Sequence, residues 1–134
     1  MLSRPVVLVV EDHELIRLAA LDFVGAAGFE RIGAKSADEA IRILETRPDI
    51  RLVFTDVEMP GTMDGLKLAH YIRDRWPPVH LILVSGKVTL NDSQIPTNST
   101  FFPKPYDENI VLQELTRLLS TTPQDRSSPK EQTT

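Results

Sequence analysis

Apolar runs and amphipathic segments take turns along this chain. "PVVLVV" (5–10) is a continuous, mostly β-branched run, the pattern of a strand covered on both faces. From His13 to Ala27 the spacing turns helical, with Leu15, Ala19 and Phe23 on one face and Gly28 just past the end. "RIGA" (31–34) reads as a weak second strand. "SADE" (36–39) follows, where Ser36 and Glu39 fit a capping box that opens a helix to about Arg47. "RLVFTD" (51–56) predicts a third strand and Asp64 to Arg75 a third helix, stopped by Pro77 and Pro78. "VHLILVS" (79–85) predicts a fourth strand and "FFP" (101–103) a short fifth. Asp107 then caps a last helix whose Ile110, Val111, Leu115, Leu118 and Leu119 form an apolar stripe. Residues 120–134, "STTPQDRSSPKEQTT", carry no aliphatic or aromatic side chain and predict a disordered polar tail.

Strands alternating with helices imply a parallel sheet with helices on both faces and right-handed crossovers. Five strands in one domain over residues 1–119 suggest the doubly wound order 2-1-3-4-5, with its switch point between strands one and three. One crossover departs from the rule. Between Gly86 and Phe101, Pro96 and a run of Thr, Asn, Asp and Ser residues make poor helix material, so the helix before the fifth strand should be shortened or replaced by a loop. The residues present still suffice to cross between parallel strands, which takes about a dozen. The segment is expected to be mobile, with an ordering that depends on phosphate or a partner.

Length and composition narrow the classes. A chain of 134 residues, 41% hydrophobic, builds one core of useful size. There is no cysteine, hence no disulfide framework and no thiolate metal site. A net charge of -4 gives no footprint for nucleic acid. Glu11 and Asp12 break the first apolar run well short of a signal segment or membrane span, so a cytoplasmic protein without membrane contact is expected. His13, His70 and His80 are too scattered for a metal cluster.

The switch point is where chemistry should sit, and acids gather there. The first strand ends in Glu11-Asp12 and the third in Asp56. Three carboxylates crowded together repel unless a cation is bound or one is protonated. Mg²⁺ suits such a place, because it binds through one or two carboxylates, keeps waters and completes its shell with phosphate oxygens. Ser85 at the end of the fourth strand and Lys104 just after the fifth add a hydroxyl and an ammonium at the same rim. Each alone is a solvated surface group; together they could hold a phosphoryl group on a carboxylate.

"VVLVVEDHELIR", "VFTDVEMPGTMDGL", "LILVSG" and "FFPKPYD" resemble the response-regulator receiver domain of two-component signalling, CheY-like, over roughly residues 5 to 119. The resemblance implies a phosphoacceptor at Asp56. Mg²⁺ would be held by Asp12 and Asp56 and by the backbone carbonyl of Glu58, with Glu11 acting through water. Ser85 and Lys104 would contact the phosphoryl oxygens, Phe101 would be the switch aromatic, and Lys104-Pro105 would be a cis peptide. Glu58 and Lys87 would flank the path of the hydrolytic water, where their opposite charges could pair and tune dephosphorylation. The implied partner is a sensor histidine kinase or phosphotransfer protein, with a downstream protein unspecified. The extra residue in "MPGTMDG", against the commoner "MPGMDG", should be absorbed in the loop over the site.

Rival readings fit less well. A haloacid-dehalogenase-type phosphatase wants a second aspartate two residues after the first, where this chain has Glu58. A flavodoxin-like cofactor binder wants a phosphate loop after strand one, where "EDHE" would repel phosphate. A phosphorylation-independent interaction module on the same fold is the stronger rival, opposed by Glu11, Asp12, Asp56, Ser85 and Lys104 all being in place. With no further output region readable in the sequence, the chain is expected to be a stand-alone receiver or one separated from a hybrid kinase.

Overall fold

The computed structural model describes residues 4–120, so the predicted tail, Ser120 apart, lies outside the described residues. The elements run β1 (Val6–Val10), α1 (Glu14–Ala26), β2 (Glu30–Ala34), α2 (Ala37–Thr46), β3 (Ile50–Asp56), α3 (Gly65–Arg75), β4 (His80–Ser85), β5 (Ser99–Pro103) and α4 (Glu108–Leu119). The five strands form one sheet in the order β2-β1-β3-β4-β5, every neighbouring pair parallel. This is the doubly wound order expected from the alternating pattern.

Two hydrophobic layers close the sheet. On one face Leu8, Val53, Leu81 and Leu83 meet Ala40 and Leu44 of α2 and Leu68, Ala69 and Ile72 of α3. On the other, Val7, Val9, Phe54 and Ile82 meet Ala20, Phe23 and Val24 of α1 and Val111, Leu115 and Leu119 of α4. Strands buried on both faces explain why β1, β3 and β4 read as unbroken apolar runs. Each such leucine or isoleucine, fully removed from water, contributes roughly 1.5–3 kcal/mol.

Helix starts follow their caps. The Ser36 hydroxyl accepts from the Glu39 N–H at 3.1 Å, while the Glu39 carboxylate accepts from the Lys35 N–H at 2.7 Å, one residue before the partner of the usual box. Asp64 and Asp107 cap α3 and α4, accepting from the N–H groups of Lys67 and Asn109.

Two predicted stripes are corrected. Leu15 is 71% exposed and Ala19 is exposed too; α1 buries Ala20, Phe23 and Val24 instead. The helix is apolar nearly all round, so a stripe one position over was equally available, and packing against β1 and β3 selected it. In α4, Ile110 is 51% exposed, because the buried line runs through Val111, Leu115 and Leu119.

No helix lies between β4 and β5, as Pro96 and the polar run predict. The segment is nonetheless anchored. Ile95 and Pro96 are buried, Leu90 is partly buried, and Asn98 adopts φ 61° just before β5. Two α3 side chains hold its backbone: His70 Nε2 lies 2.9 Å from the Gln94 carbonyl, and Arg73 donates to the carbonyls of Thr97 at 2.8 Å and Asn98 at 3.3 Å. Arg73 also donates to the carbonyls of Pro77 and Val79, so one guanidinium ties the α3–β4 turn to the end of this crossover next to β5.

Candidate functional site

Strand register builds the site. Val10 pairs with Ala34 and Thr55, Asp56 with Val84, and Ser85 with Pro103, so β1, β3, β4 and β5 finish at one edge of the sheet. Residues at those ends and just past them therefore converge there. Glu11, Asp12 and Asp56 each offer a carboxylate oxygen within 4.8 Å of the other two, with Glu11 and Asp56 buried and Asp12 exposed. Among the described residues, the acids singled out in sequence are the ones that meet.

Two backbone contacts fix Glu11: its Oε2 accepts from the His13 N–H at 2.8 Å and its carbonyl accepts from Arg17 at 2.9 Å. Lys104 continues the sheet one residue past β5, its N–H donating to the Ser85 carbonyl at 2.8 Å. From there its Nζ reaches Asp56 Oδ1 at 2.8 Å and Glu11 Oε1 at 3.9 Å. The following peptide, Lys104-Pro105, is cis, as the resemblance implies. Beneath the site, Tyr106 packs against Phe23 and Phe54 with ring centroids 6.1 and 5.9 Å away, and burial pushes its hydroxyl up to about 12.

Electrostatics reflect the crowding. Burial pushes both Glu11 and Asp56 above the ordinary carboxylate range. For Asp56 the Lys104 ammonium pulls the other way, while Glu58 and Asp12 reinforce the rise. Glu11 is lowered by the His13 N–H and raised again by Asp56. A cluster of hard oxygen donors with one half-buried ammonium is short of positive charge, and a small divalent cation would supply it. The cluster of Glu11, Asp12 and Asp56 could hold such an ion, and its hard oxygen donors suit Mg²⁺.

Ser85 is 1% exposed. Its Oγ accepts from the N–H groups of Lys87 at 3.1 Å and Val88 at 3.0 Å, and it donates to the Glu58 carboxylate. Glu58 also accepts from the Gly86 N–H at 3.3 Å. The pairing expected between Glu58 and Lys87 is not made; closer donors have taken the carboxylate. Phe101 lies on the α3 face of β5 and is partly buried against the core there, whereas Phe102 faces the α1–α4 side.

One positioning residue has no role in the sequence reading. At Gly65, the first residue of α3, a Cβ would sit 1.8 Å from the Asp56 carbonyl oxygen. Its N–H donates to the Val57 carbonyl at 2.9 Å, so helix and strand end touch backbone to backbone. The glycine following Asp64 in "MDGL" was the available signal. The extra residue of "MPGTMDG" falls in the loop before α3, where Gly61 takes φ 105°, a conformation glycine adopts without strain.

Residues 7–116 match the family model of the response regulator receiver domain. The response regulator protein FleR of Pseudomonas aeruginosa is 39% identical over 80 residues, 60% of this chain and 16% of that protein. The sensor kinase CckA of Brucella abortus is 32% identical over 104 residues, 75% of this chain and 11% of that protein. The chain thus spans less than a fifth of the length of either relative. Among solved structures, a response regulator receiver protein from Pseudomonas putida superposes with a TM-score of 0.77 at 29% identity, covering 87% of this chain and 99% of that one. A receiver protein from Sinorhizobium medicae gives 0.81 at 23% identity over 89% of this chain and 97% of its own, a likeness of fold.

Proposed function

As a member of the response regulator receiver domain family, the chain is a phosphoacceptor receiver of two-component signalling, and we propose that Asp56 is the residue that takes the phosphoryl group. The observation that carries this reading is the 2.8 Å contact between Lys104 Nζ and Asp56 Oδ1, inside a cluster whose acids lie within 4.8 Å of one another. Lys104 thereby favours the ionised, attacking form of Asp56 against the pull of burial, and two further acids beside it call for another cation.

The donor in this reading is a phosphohistidine on a histidine kinase or phosphotransfer protein. An Asp56 oxygen attacks phosphorus as the P–N bond breaks, leaving an acyl phosphate. Lys104 releases Asp56 and neutralises charge developing on the transferred oxygens, and Ser85 offers its hydroxyl to another of them. Bound Mg²⁺ would add further neutralisation of those oxygens and help hold the donor in line. Loss of the phosphoryl group to water restores Asp56. Leu15, Ile16 and Leu18 stand exposed on α1 beside this rim, an apolar landing face that suits a protein donor. In this reading Phe101, partly buried on the α3 face, repacks when Ser85 changes partners, a shift between two packed arrangements. No described helix is long and apolar enough to cross a membrane; we place the protein in the cytoplasm, with its partners.

The rival without phosphorylation has less support, since it leaves the assembly of Glu11, Asp12, Asp56, Ser85 and Lys104 without a purpose. Incubation with Mg²⁺ and acetyl phosphate should add one phosphoryl group, seen by intact mass and mapped to Asp56. Asp56→Asn should abolish it. Unchanged labelling of that variant, or no labelling of the parent protein, would overturn the assignment.

A further inference from the structure

The Glu58 side chain occupies the Ser85 hydroxyl, the donor read above as a phosphoryl contact, together with the Gly86 N–H beside it. The Ser85 hydroxyl has a single proton, and it goes to the Glu58 carboxylate. Both its lone pairs are taken by the N–H groups of Lys87 at 3.1 Å and Val88 at 3.0 Å, so the hydroxyl has no second proton to share. The other Glu58 oxygen accepts from Gly86 N–H at 3.3 Å. A carboxylate bridging a hydroxyl and the next backbone N–H imitates a phosphoryl group with two of its oxygens held.

We propose that Glu58 is an internal competitor for the phosphoryl group: its carboxylate holds the Ser85 hydroxyl and the Gly86 N–H in the resting protein, and phosphorylation at Asp56 must displace it. The inference rests on the reading of Asp56 as phosphoacceptor and Ser85 as phosphoryl contact. The exchange is exclusive, because one proton cannot serve two anions. It has a destination as well. Glu58 borders an open groove of about 580 Å³ that it shares with Lys87, Val88, Leu90 and Pro60, and Lys87 makes no ion pair among the described residues. The displaced carboxylate moves toward that ammonium.

The exchange also explains how a receiver without a helix in this crossover passes on its state. Ser85 Oγ holds the N–H groups of Lys87 and Val88, the second and third residues of the helix-free segment, so turning the hydroxyl toward a phosphoryl oxygen moves the start of that segment directly.

Beryllofluoride with Mg²⁺, a stable stand-in for the phosphoryl group, tests this through the amide resonances of Gly86, Lys87 and Val88. Glu58→Asp keeps the charge and the backbone carbonyl but is one methylene too short to span to Ser85. Glu58→Gln keeps the reach and an acceptor oxygen but removes the charge. The competitor model expects beryllofluoride to bind Glu58→Asp about tenfold more tightly than the parent, the worth of one charge-assisted hydrogen bond. In a Ser85→Ala background, where Glu58 has lost its main donor, the same substitution should have little effect. Equal affinities for parent and Glu58→Asp, with only Glu58→Gln tighter, would mean that Glu58 acts by charge alone and would overturn the proposal. Absence of any response in all forms would instead overturn the phosphoacceptor reading, and the competitor with it.

Discussion

Burial raises Glu11 and Asp56 together, and the sign of the consequence is definite. Unfolded, these carboxyls titrate near about 3.9 for Asp and 4.3 for Glu. Between those values and the raised folded ones, the folded chain keeps protons that the unfolded chain has released, so stability falls as pH rises through that window and the loss persists above it. A divalent cation binds the ionised form, so Mg²⁺ should raise the melting temperature more at pH about 7 than at pH about 5. Asp56→Asn should shrink that difference; an equal Mg²⁺ effect at both pH values would refute the coupling. At this scale much was legible in advance. Glu11, Asp12, Asp56, Ser85 and Lys104 end strands or follow directly after them, and a parallel sheet collects such positions along one edge whatever the side chains do. The partner of Glu58 was not legible, because the choice between Lys87 and Ser85 depends on which donor the folded backbone brings nearer.

Helices and crossovers were legible in kind more than in orientation. Alternation found every strand and helix, but α1 carries apolar residues nearly all round and turned a different stripe inward, leaving Leu15, Ile16 and Leu18 outside. The missing helix was readable from Pro96 and its polar neighbours; its replacement was not, since the anchors His70 and Arg73 lie on another element. Arg73 makes four hydrogen bonds to carbonyls, those of Pro77, Val79, Thr97 and Asn98. Arg73→Met should therefore cost about 2–3 kcal/mol in denaturant unfolding and raise amide exchange over residues 94–98. Normal protection there in the variant would mean that Ile95 and Pro96 alone secure the segment. Such anchoring restricts the expected mobility to the stretch nearer Ser85, so beryllofluoride should alter exchange at residues 86–90 more than at 94–98.

The molecule as a whole is two unequal cores on one sheet, and α4 belongs to the face opposite α3. A helical crossover would satisfy its own amides within four residues and could start forming before it docked. Here the crossover between β4 and β5 is held instead by side chains of α3 up to 25 residues earlier in the chain. It has little local structure to contribute early, and a loop of this kind pays its closure entropy before any contact repays it. β5 and α4 should accordingly be the last elements to join during folding. Val111→Ala and Leu115→Ala would then speed unfolding while leaving the folding rate nearly unchanged; a matching drop in the folding rate would place α4 in the nucleus instead. Losing one helix thus reaches beyond the surface it vacated, to the order in which the chain assembles.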